Sequence, residues 1–338
     1  MTKLTNGIRG VWGLRALILI LVCIFMAIVE PRFFRPDNFL SILLAISVYG
    51  IMSCGMLYVV LIGGLDLSMG SVAGLSATIV CVISMRGDYS MPSMLLSIVV
   101  AIAVSLAVGY FHGLLVTAIN MPSFVVTLAT KYLLYGLIPV VSGIARTYVR
   151  EETFIDAIAN AKLLGIPSRV IIFVVFGLIC WFLLSKTTFG RRIYAIGGNP
   201  TAAEFVGIKV HRNTKIAYMI SAFSACIGGI VLASATLTAG QTTGFGYEGM
   251  VLMAMIVGGI NLAGGKGDIS GAVFGALLVG IIQNIINLAS FLNPDYLKFY
   301  QGFIILIVVV ITVVVEKRDR RGISRKAKKA AQMASENE

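Results

Sequence analysis

Apolar runs long enough to form membrane-crossing helices recur along this chain from Leu14 almost to Val315. A transmembrane helix needs about 20 mostly apolar residues, because each residue adds only about 1.5 Å along the helix axis. Only 12% of the residues are charged, whereas soluble domains usually carry about 25%. The sequence therefore predicts an all-α polytopic membrane protein whose 338 residues form a single transmembrane domain.

Turn and charge signals divide the apolar runs into ten predicted spans. The first follows a basic start, but no small-x-small cleavage site precedes Glu30, so we interpret it as a membrane anchor and not as a removable signal peptide. The eighth is short for a complete span. The predicted spans are 14–29, 40–62, 69–85, 92–118, 122–142, 168–185, 214–237, 250–262, 268–290 and 300–315.

The positions of the basic residues predict the orientation, because Lys and Arg favour cytoplasmic loops. They gather at the N-terminus, in the stretch 186–215 and in the tail 316–338. Ten spans place these three segments, and so both termini, in the cytoplasm. The net charge of +12 is explained by this bias and by attraction to anionic lipid headgroups. Membrane lipid is therefore an expected partner, and nucleic acid is not.

Two glycine-rich segments resemble each other. IGGLDLSMGSVAG (62–74) aligns with VGGINLAGGKGDISG (257–271) once a two-residue insertion is allowed. Glycine-interrupted segments at matching places in the two halves of a chain are typical of transporters. The sequence predicts repeat halves of about 33–142 and 214–315. Because both motifs fall on the cytoplasmic side, a parallel repeat is favoured over an inverted one.

Polar residues within these two segments have two possible roles. Asp66, which aligns with Asn261, can accept hydrogen bonds from the first free amides of a helix starting at Leu67, as an N-cap does. The glycine pair before it lets the preceding helix end with a positive φ. Alternatively, Asp66, Ser68 and Asn261 form a polar gate at the inner mouth of a translocation path. The two roles are compatible, because a hinged gate also needs a capped helix.

Polar side chains on two other spans are candidates to line such a path. They are Thr127 and Thr130 on the fifth span, and Gln283, Asn284 and Asn287 on the ninth. Gln283 and Asn287 lie four residues apart and share one helical face. The alternative is that these side chains bond to neighbouring helices and only hold the bundle together.

Motifs for catalysis and for metal or nucleotide binding are missing from the sequence. The chain has two histidines and five cysteines, without metal-ligand spacing. GFGYEG (244–249) and AGGKGD (263–268) lack the context of dinucleotide and phosphate loops. We expect no enzyme activity, no metal and no cofactor. Lys131 and Glu248 are the deeply placed ionisable residues, and Lys131 either carries protons or only snorkels or pairs.

The hydrophilic stretch 186–215 is long for a passive connection and is predicted to dock a cytosolic partner. Within it, residues 199–208 are predicted to form a short surface helix. Asn199 is its expected N-cap, Pro200 its first residue and Gly207 its stop. The predicted docking face consists of Ala203, Val206 and Gly207, with Glu204, Arg191 and Arg192 around its rim.

Four segments together resemble a known family. They are GGLDLSMGS, MPSFVVTLAT (121–130), TTFGRRIYAIGGNPTAAEFVGIKV (187–210) and GGINLAGGKGDISGAVFGALLVGIIQN (258–284). In this combination and order they are similar to the membrane permeases of ribose-type ABC sugar importers, and the resemblance runs from about Phe33 to Val315. Lys131 and Asn261 depart from the family pattern, which leaves the identity of the sugar open.

The resemblance implies a permease subunit of an importer for a monosaccharide, a pentose or hexose, in the bacterial cytoplasmic (inner) membrane. Its partners would be an ABC ATPase that holds the ATP and Mg²⁺, a periplasmic or lipid-anchored sugar-binding protein, and a second permease copy as a homodimer or heterodimer. The alternatives are an ABC permease for a nucleoside, an autoinducer-type furanosyl signal, a branched-chain amino acid or another small polar solute, and an ion-coupled carrier or membrane enzyme. By position, the implied ATPase-coupling residues are Phe189, Gly190, Arg191, Ile196, Gly197, Gly198, Asn199, Pro200, Ala202, Ala203, Glu204 and Gly207.

Overall fold

A computed structural model of the chain describes residues 30–143 and 147–288, together with single positions nearer each terminus. The chain divides into two compact units, residues 1–289 and 290–338. All helices and strands with assigned bounds belong to the first unit, and eleven α-helices lie in its described part.

The eleven helices follow a 3₁₀ turn at Pro31–Phe34. In chain order they are α1 (Pro36–Leu61), α2 (Met69–Arg86), α3 (Met91–Ala118), α4 (Ser123–Ser142), α5 (Phe154–Asn160), α6 (Ser168–Lys186), α7 (Thr188–Gly198), α8 (Pro200–Phe205), α9 (Val210–Thr236), α10 (Tyr247–Val257) and α11 (Ile269–Leu288). Seven of them, α1 to α4, α6, α9 and α11, are long and apolar enough to cross a membrane. The chain is therefore a multi-pass membrane protein.

The seven long helices match seven of the ten predicted spans to within a few residues. The predicted spans 14–29 and 300–315 lie outside the continuously described residues. The remaining prediction, a span at 250–262, is wrong. The structure has the 11-residue helix α10 there, which is about 16 Å long, or about half the thickness of a hydrocarbon layer.

The bundle has an inner and an outer layer. Helices α1, α2 and α9 are mostly buried, whereas only 28% of the residues along the apolar stretches of α3, α4 and α6 are buried. Small residues allow the inner helices to pack closely. For example, a Cβ added to Gly229 of α9 would overlap the backbone of Ala73 on α2. The outer helices have exposed Leu, Val and Phe side chains, as lipid-facing helices do.

The two ends of the bundle are built differently. One end holds α7, α8 and the turns 62–68 and 258–268, and we call it the α7–α8 end. At the opposite end α5 packs on the end of α9, where the Ala159 amide donates to Ser234 Oγ at 2.8 Å. Two small antiparallel sheets accompany α5: β1 (Thr147–Tyr148) pairs with β4 (Thr238–Ala239), and β2 (Lys162–Leu163) pairs with β3 (Ile166–Pro167).

Candidate translocation path and coupling surface

The chain between β4 and the turn 258–268 is a broken span. Residues 240–246 run without helical structure beside α2, and the half-length helix α10 follows. Added Cβ atoms at Gly70 and Gly74 of α2 would overlap the backbone of Gly244 and Thr243. Non-helical backbone at membrane depth is tolerated only where protein buries it or where it lines a water-filled cavity. The two glycines of α2 provide that protein contact.

An ion pair joins the broken span to the first half of the chain. Lys131 Nζ, near the middle of α4, lies 2.7 Å from Glu248 Oε1 in the first turn of α10, and their side chains are only 17% and 9% exposed. The Tyr135 hydroxyl donates to the Gly244 carbonyl oxygen at 3.0 Å beside the pair. Burial of either charge alone would be costly, so each compensates the other. Of the two roles considered for Lys131, the structure shows pairing.

The surface next to this ion pair carries polar groups. Lys131 Nζ lies 5.7 Å from the centre of the Tyr132 ring and 6.0 Å from that of Phe245, and both rings are exposed. Gln241 and Thr242 are exposed a few residues before Phe245, on the non-helical part of the broken span. We call this surface, with Lys131, the polar seam. Amide, hydroxyl and ammonium groups at this depth are poorly suited to face lipid tails. The polar seam is therefore suited to face water, a polar solute or another subunit.

The predicted path residues Thr127 and Thr130 bond to backbone carbonyls. The Thr127 hydroxyl donates to the Ser123 carbonyl oxygen at 2.9 Å and approaches that of Leu65 at 3.3 Å. The Thr130 hydroxyl donates to Val126 at 2.9 Å. Both threonines are buried. Thr127 therefore holds α4 to the turn 62–68, and both hydroxyl protons are used within the protein.

The three predicted residues on α11 have different surroundings. Asn284 exchanges two hydrogen bonds with Asn38, at 2.7 and 3.0 Å, and so holds α11 to the start of α1. Gln283 Nε2 lies 2.9 Å from Met250 Sδ on α10, whereas Asn287 is exposed. The structure brings Gln283 to the broken span but places Asn284 in a helix contact.

Asp66 is fully buried and uses both carboxylate oxygens. Its Oδ1 accepts from the Ser68 amide at 3.0 Å and the Ser68 hydroxyl at 2.6 Å. Its Oδ2 accepts from Ser221 Oγ of α9 at 2.6 Å. Helix α2 begins at Met69 and not at the predicted Leu67, and its N-cap position, Ser68, makes no side-chain capping bond. Asp66 therefore closes a local turn and ties it to α9.

The second glycine-rich segment has the same local turn, but here the helix that follows has a side-chain cap. Asn261 Oδ1 accepts from the Ala263 amide at 3.0 Å, but α11 begins only at Ile269. Asp268 caps it by accepting from the Gly271 amide at 2.6 Å. Asn261, the counterpart of Asp66, therefore does not cap the next helix, as its alignment with Asp66 would have suggested. One glycine of each pair has the expected positive φ, Gly63 at 80° and Gly259 at 75°.

Three chain segments meet through their backbones at the α7–α8 end. The Gly265 amide donates to the Leu61 carbonyl oxygen at 2.8 Å, and a Cβ on Gly197 would overlap that same oxygen. We call Leu61, Gly197 and Gly265 the glycine joint. Tyr194 of α7 donates to the Gly267 carbonyl oxygen at 2.7 Å. The glycine joint places α7 against both glycine-rich segments.

Other coupling residues implied by the resemblance support α7 from its first turn. The Phe189 ring stacks on Tyr58 of α1 with ring centroids 5.9 Å apart. Gly190 packs against the Leu184 backbone, where a Cβ would not fit, and so permits the sharp turn from α6 into α7. Burial, with a contribution from the Asp268 carboxylate, raises the pKa of Tyr194 to about 12, so its phenol remains a hydrogen-bond donor near neutral pH.

The short helix after α7 has the predicted ends. Asn199 Oδ1 accepts from the Ala202 amide at 3.0 Å, and Pro200 is the first helical residue. Gly207 follows with a φ of 82°, which stops the helix. Glu204, Arg191 and Arg192 are exposed, as expected for a rim.

The docking face predicted for this helix is wrong in one central residue. Ala203 is only 3% exposed and faces the protein, so it cannot enter a cleft of another subunit. Phe205 is 87% exposed instead, and Val206 beside it is also exposed. The sequence signal for this surface was the adjacent pair Phe205 and Val206, because contiguous exposed apolar side chains mark interaction sites more often than single ones do.

The chain is similar in sequence to a family of membrane permeases over most of its length. Residues 38–309 match the family model described as branched-chain amino acid transport system / permease component. The chain is similar to the ribose import permease protein RbsC of Haemophilus influenzae, with 33% identity over 86% of this chain and 90% of the relative. RbsC of Bacillus subtilis is 34% identical over 86% and 89% of the two chains. The L-arabinose transport system permease protein AraH of Escherichia coli is 31% identical over 92% and 93%. No solved structure matches the chain.

Proposed function

Because the chain belongs to the family of branched-chain amino acid transport system permease components, we propose that it is the membrane-spanning subunit of an ATP-driven importer for a monosaccharide. The observation that carries the proposal is similarity to ribose and arabinose permeases over at least 86% of the chain. The transported sugar would be a pentose or a hexose. The subunit itself is a transport component and not an enzyme.

The same relationship implies the partners. A separate ABC ATPase would bind ATP and Mg²⁺, and a periplasmic or lipid-anchored binding protein would deliver the sugar. The charge distribution supports cytoplasmic termini and a cytoplasmic α7–α8 end in the bacterial inner membrane. A second permease copy would complete the assembly, as a homodimer or with a related chain.

We place the translocation path along the polar seam. Its Gln241, Thr242 and Lys131 would be costly in contact with lipid, but they suit a water-filled path between two permease copies. The half-length helix α10 then forms part of the wall and is held by the ion pair at Glu248. Broken helices near the membrane midplane are typical of transport paths.

Coupling to ATP hydrolysis would pass through α7 and α8. The exposed Phe205 is suited to insert into an apolar cleft on the ATPase, since large aromatic anchors contribute much of the binding energy at interfaces. Movement of α8 would then reach α7 and, through the glycine joint, both glycine-rich segments. The contact of Gly197 with Leu61 is too close to absorb such movement.

ATPase measurements on the reconstituted complex test the proposal. The chain is purified with its cognate ATPase and placed in lipid nanodiscs, and the binding protein is added with D-ribose, L-arabinose or L-leucine. Stimulation by one of the sugars and not by leucine is expected. Stimulation by leucine alone would show that the amino-acid function in the family description applies here, and no association with any ABC ATPase would refute the importer assignment.

A further inference from the structure

A groove at the α7–α8 end lies outside the path and the glycine joint. It has a volume of about 580 Å³ and lies between α3 and the start of α9. Its apolar lining comes from Tyr110, Val210, Ile216 and Met219, and its polar lining from Lys209, His211, Arg212, Lys215 and Glu204. Basic and apolar groups therefore share one concave surface.

The charge of the groove is unbalanced. Three permanently cationic side chains face one carboxylate, Glu204 on α8, and among the described residues no acid forms an ion pair with any of them. Lys215 Nζ instead lies 5.4 Å from the centre of the Tyr110 ring, which is a cation–π contact. The groove thus attracts an anion and keeps Lys215 directed along its wall.

The depth of the groove fits the membrane surface. Lys215 lies in the second turn of α9, and Tyr110 lies about two turns before the end of α3, both within helices long enough to cross a membrane. Lys and Tyr at such positions are typical of the headgroup region. Gly113 of α3 fits directly against the Lys215 backbone, with no room for a Cβ. This close helix contact fixes the two walls relative to each other.

We infer that the groove binds one anionic phospholipid of the cytoplasmic leaflet. Lys209, Arg212 and Lys215 would hold the phosphate, since basic pockets between helices on the cytoplasmic side suit acidic headgroups. An acyl chain would follow the outer face of α3 past Tyr110 and Met219. A headgroup hydroxyl, as in phosphatidylglycerol, would donate a hydrogen bond to the Glu204 carboxylate. The bound lipid would then connect α8 to α9.

Native mass spectrometry of the purified chain tests this inference, which rests on the proposed cytoplasmic orientation of the α7–α8 end but holds whatever solute is transported. The variant is K209Q/R212Q, in which both residues are exposed, with K215Q added in a triple variant. The control is R86Q/R150Q/K162Q, which removes three charges from exposed residues at the opposite end. Each basic residue near an acidic surface is worth roughly fivefold in affinity. We expect phosphatidylglycerol to bind roughly 25-fold more weakly to the double variant and roughly 100-fold more weakly to the triple variant, with little change in the control.

Four outcomes would overturn the inference. The first is equal weakening in the control, which would show general charge attraction, and the second is unchanged lipid binding by the double variant. The third is equally tight binding of inorganic phosphate or glycerol phosphate, which would assign the groove to a soluble anion. The fourth is loss of ATPase association with lipid binding intact, which would assign the surface to the ATPase. Phosphatidylcholine should bind wild type and variants equally weakly.

Discussion

Replacing Lys131 with methionine tests the ion pair that holds the broken span. At an N–O distance of 2.7 Å, the Coulomb attraction is about 6 kcal/mol at an effective dielectric constant of 20. Methionine fills similar volume but leaves the Glu248 carboxylate, which is 9% exposed, without its counter-ion. Removing one partner of a buried pair usually costs about 3–5 kcal/mol. We expect K131M to lower the free energy of unfolding by about that amount.

Two companion variants separate the ion pair from simple loss of packing. E248Q leaves Lys131 without its partner, but Lys131 is more exposed than Glu248 and can reach water. E248Q should therefore lower the free energy of unfolding by less than K131M does. The double variant K131M/E248Q contains no buried charge and should recover much of the K131M loss. Unfolding by denaturant in mild detergent, followed by tryptophan fluorescence, measures all three. A K131M protein as stable as wild type, or a double variant no more stable than K131M, would refute the reasoning.

Three further predictions concern the buried turn and the coupling surface. D66N should retain the local turn and lower the free energy of unfolding by about 1–2 kcal/mol. D66L loses every bond to the carboxylate and should lower it further in the same unfolding assay. Equal stability of the two variants would show that these bonds contribute little. F205E should abolish co-purification with the ATPase. The control L164E, at an exposed leucine of the opposite end, should leave co-purification intact. An F205E protein that still associates with the ATPase would place docking elsewhere. G197A should force α7 away from α1 and uncouple ATP hydrolysis from transport. The control G198A should not, because a Cβ at Gly198 meets only open space. Normal coupling in G197A would remove the glycine joint from the mechanism.

Hydropathy predicted the fold class and the long helices because membrane burial requires long apolar runs whatever the tertiary contacts are. Hydropathy failed for 250–262 because a short apolar run fits a half-length helix as well as a complete span. Residues 240–246 fall between the predicted spans 214–237 and 250–262, yet in the structure they lie beside α2. Their place depends on Gly70 and Gly74, which lie more than 160 positions earlier in the chain.

The candidate site was predictable where a local rule decides and unpredictable where packing decides. Asn199 could be assigned as a cap because Pro200 fixes the start of its helix. Asn261 could not, because Asp268 lies nearer the helix start. The orientation of Ala203 in a six-residue helix depends on the surface beneath it. Lys131 was recognised as an unusual intramembrane charge, but its partner became apparent only from the fold.

ATP-driven uptake of labelled sugar into proteoliposomes tests the central claim most directly. The chain and its cognate ATPase are reconstituted with ATP and Mg²⁺ inside, and the binding protein with D-ribose or L-arabinose is added outside. The account predicts accumulation of one of these sugars above its external concentration, dependent on both ATP and the binding protein. Uptake that an ion gradient drives without the ATPase, or accumulation of neither sugar under conditions where another solute accumulates, would contradict it.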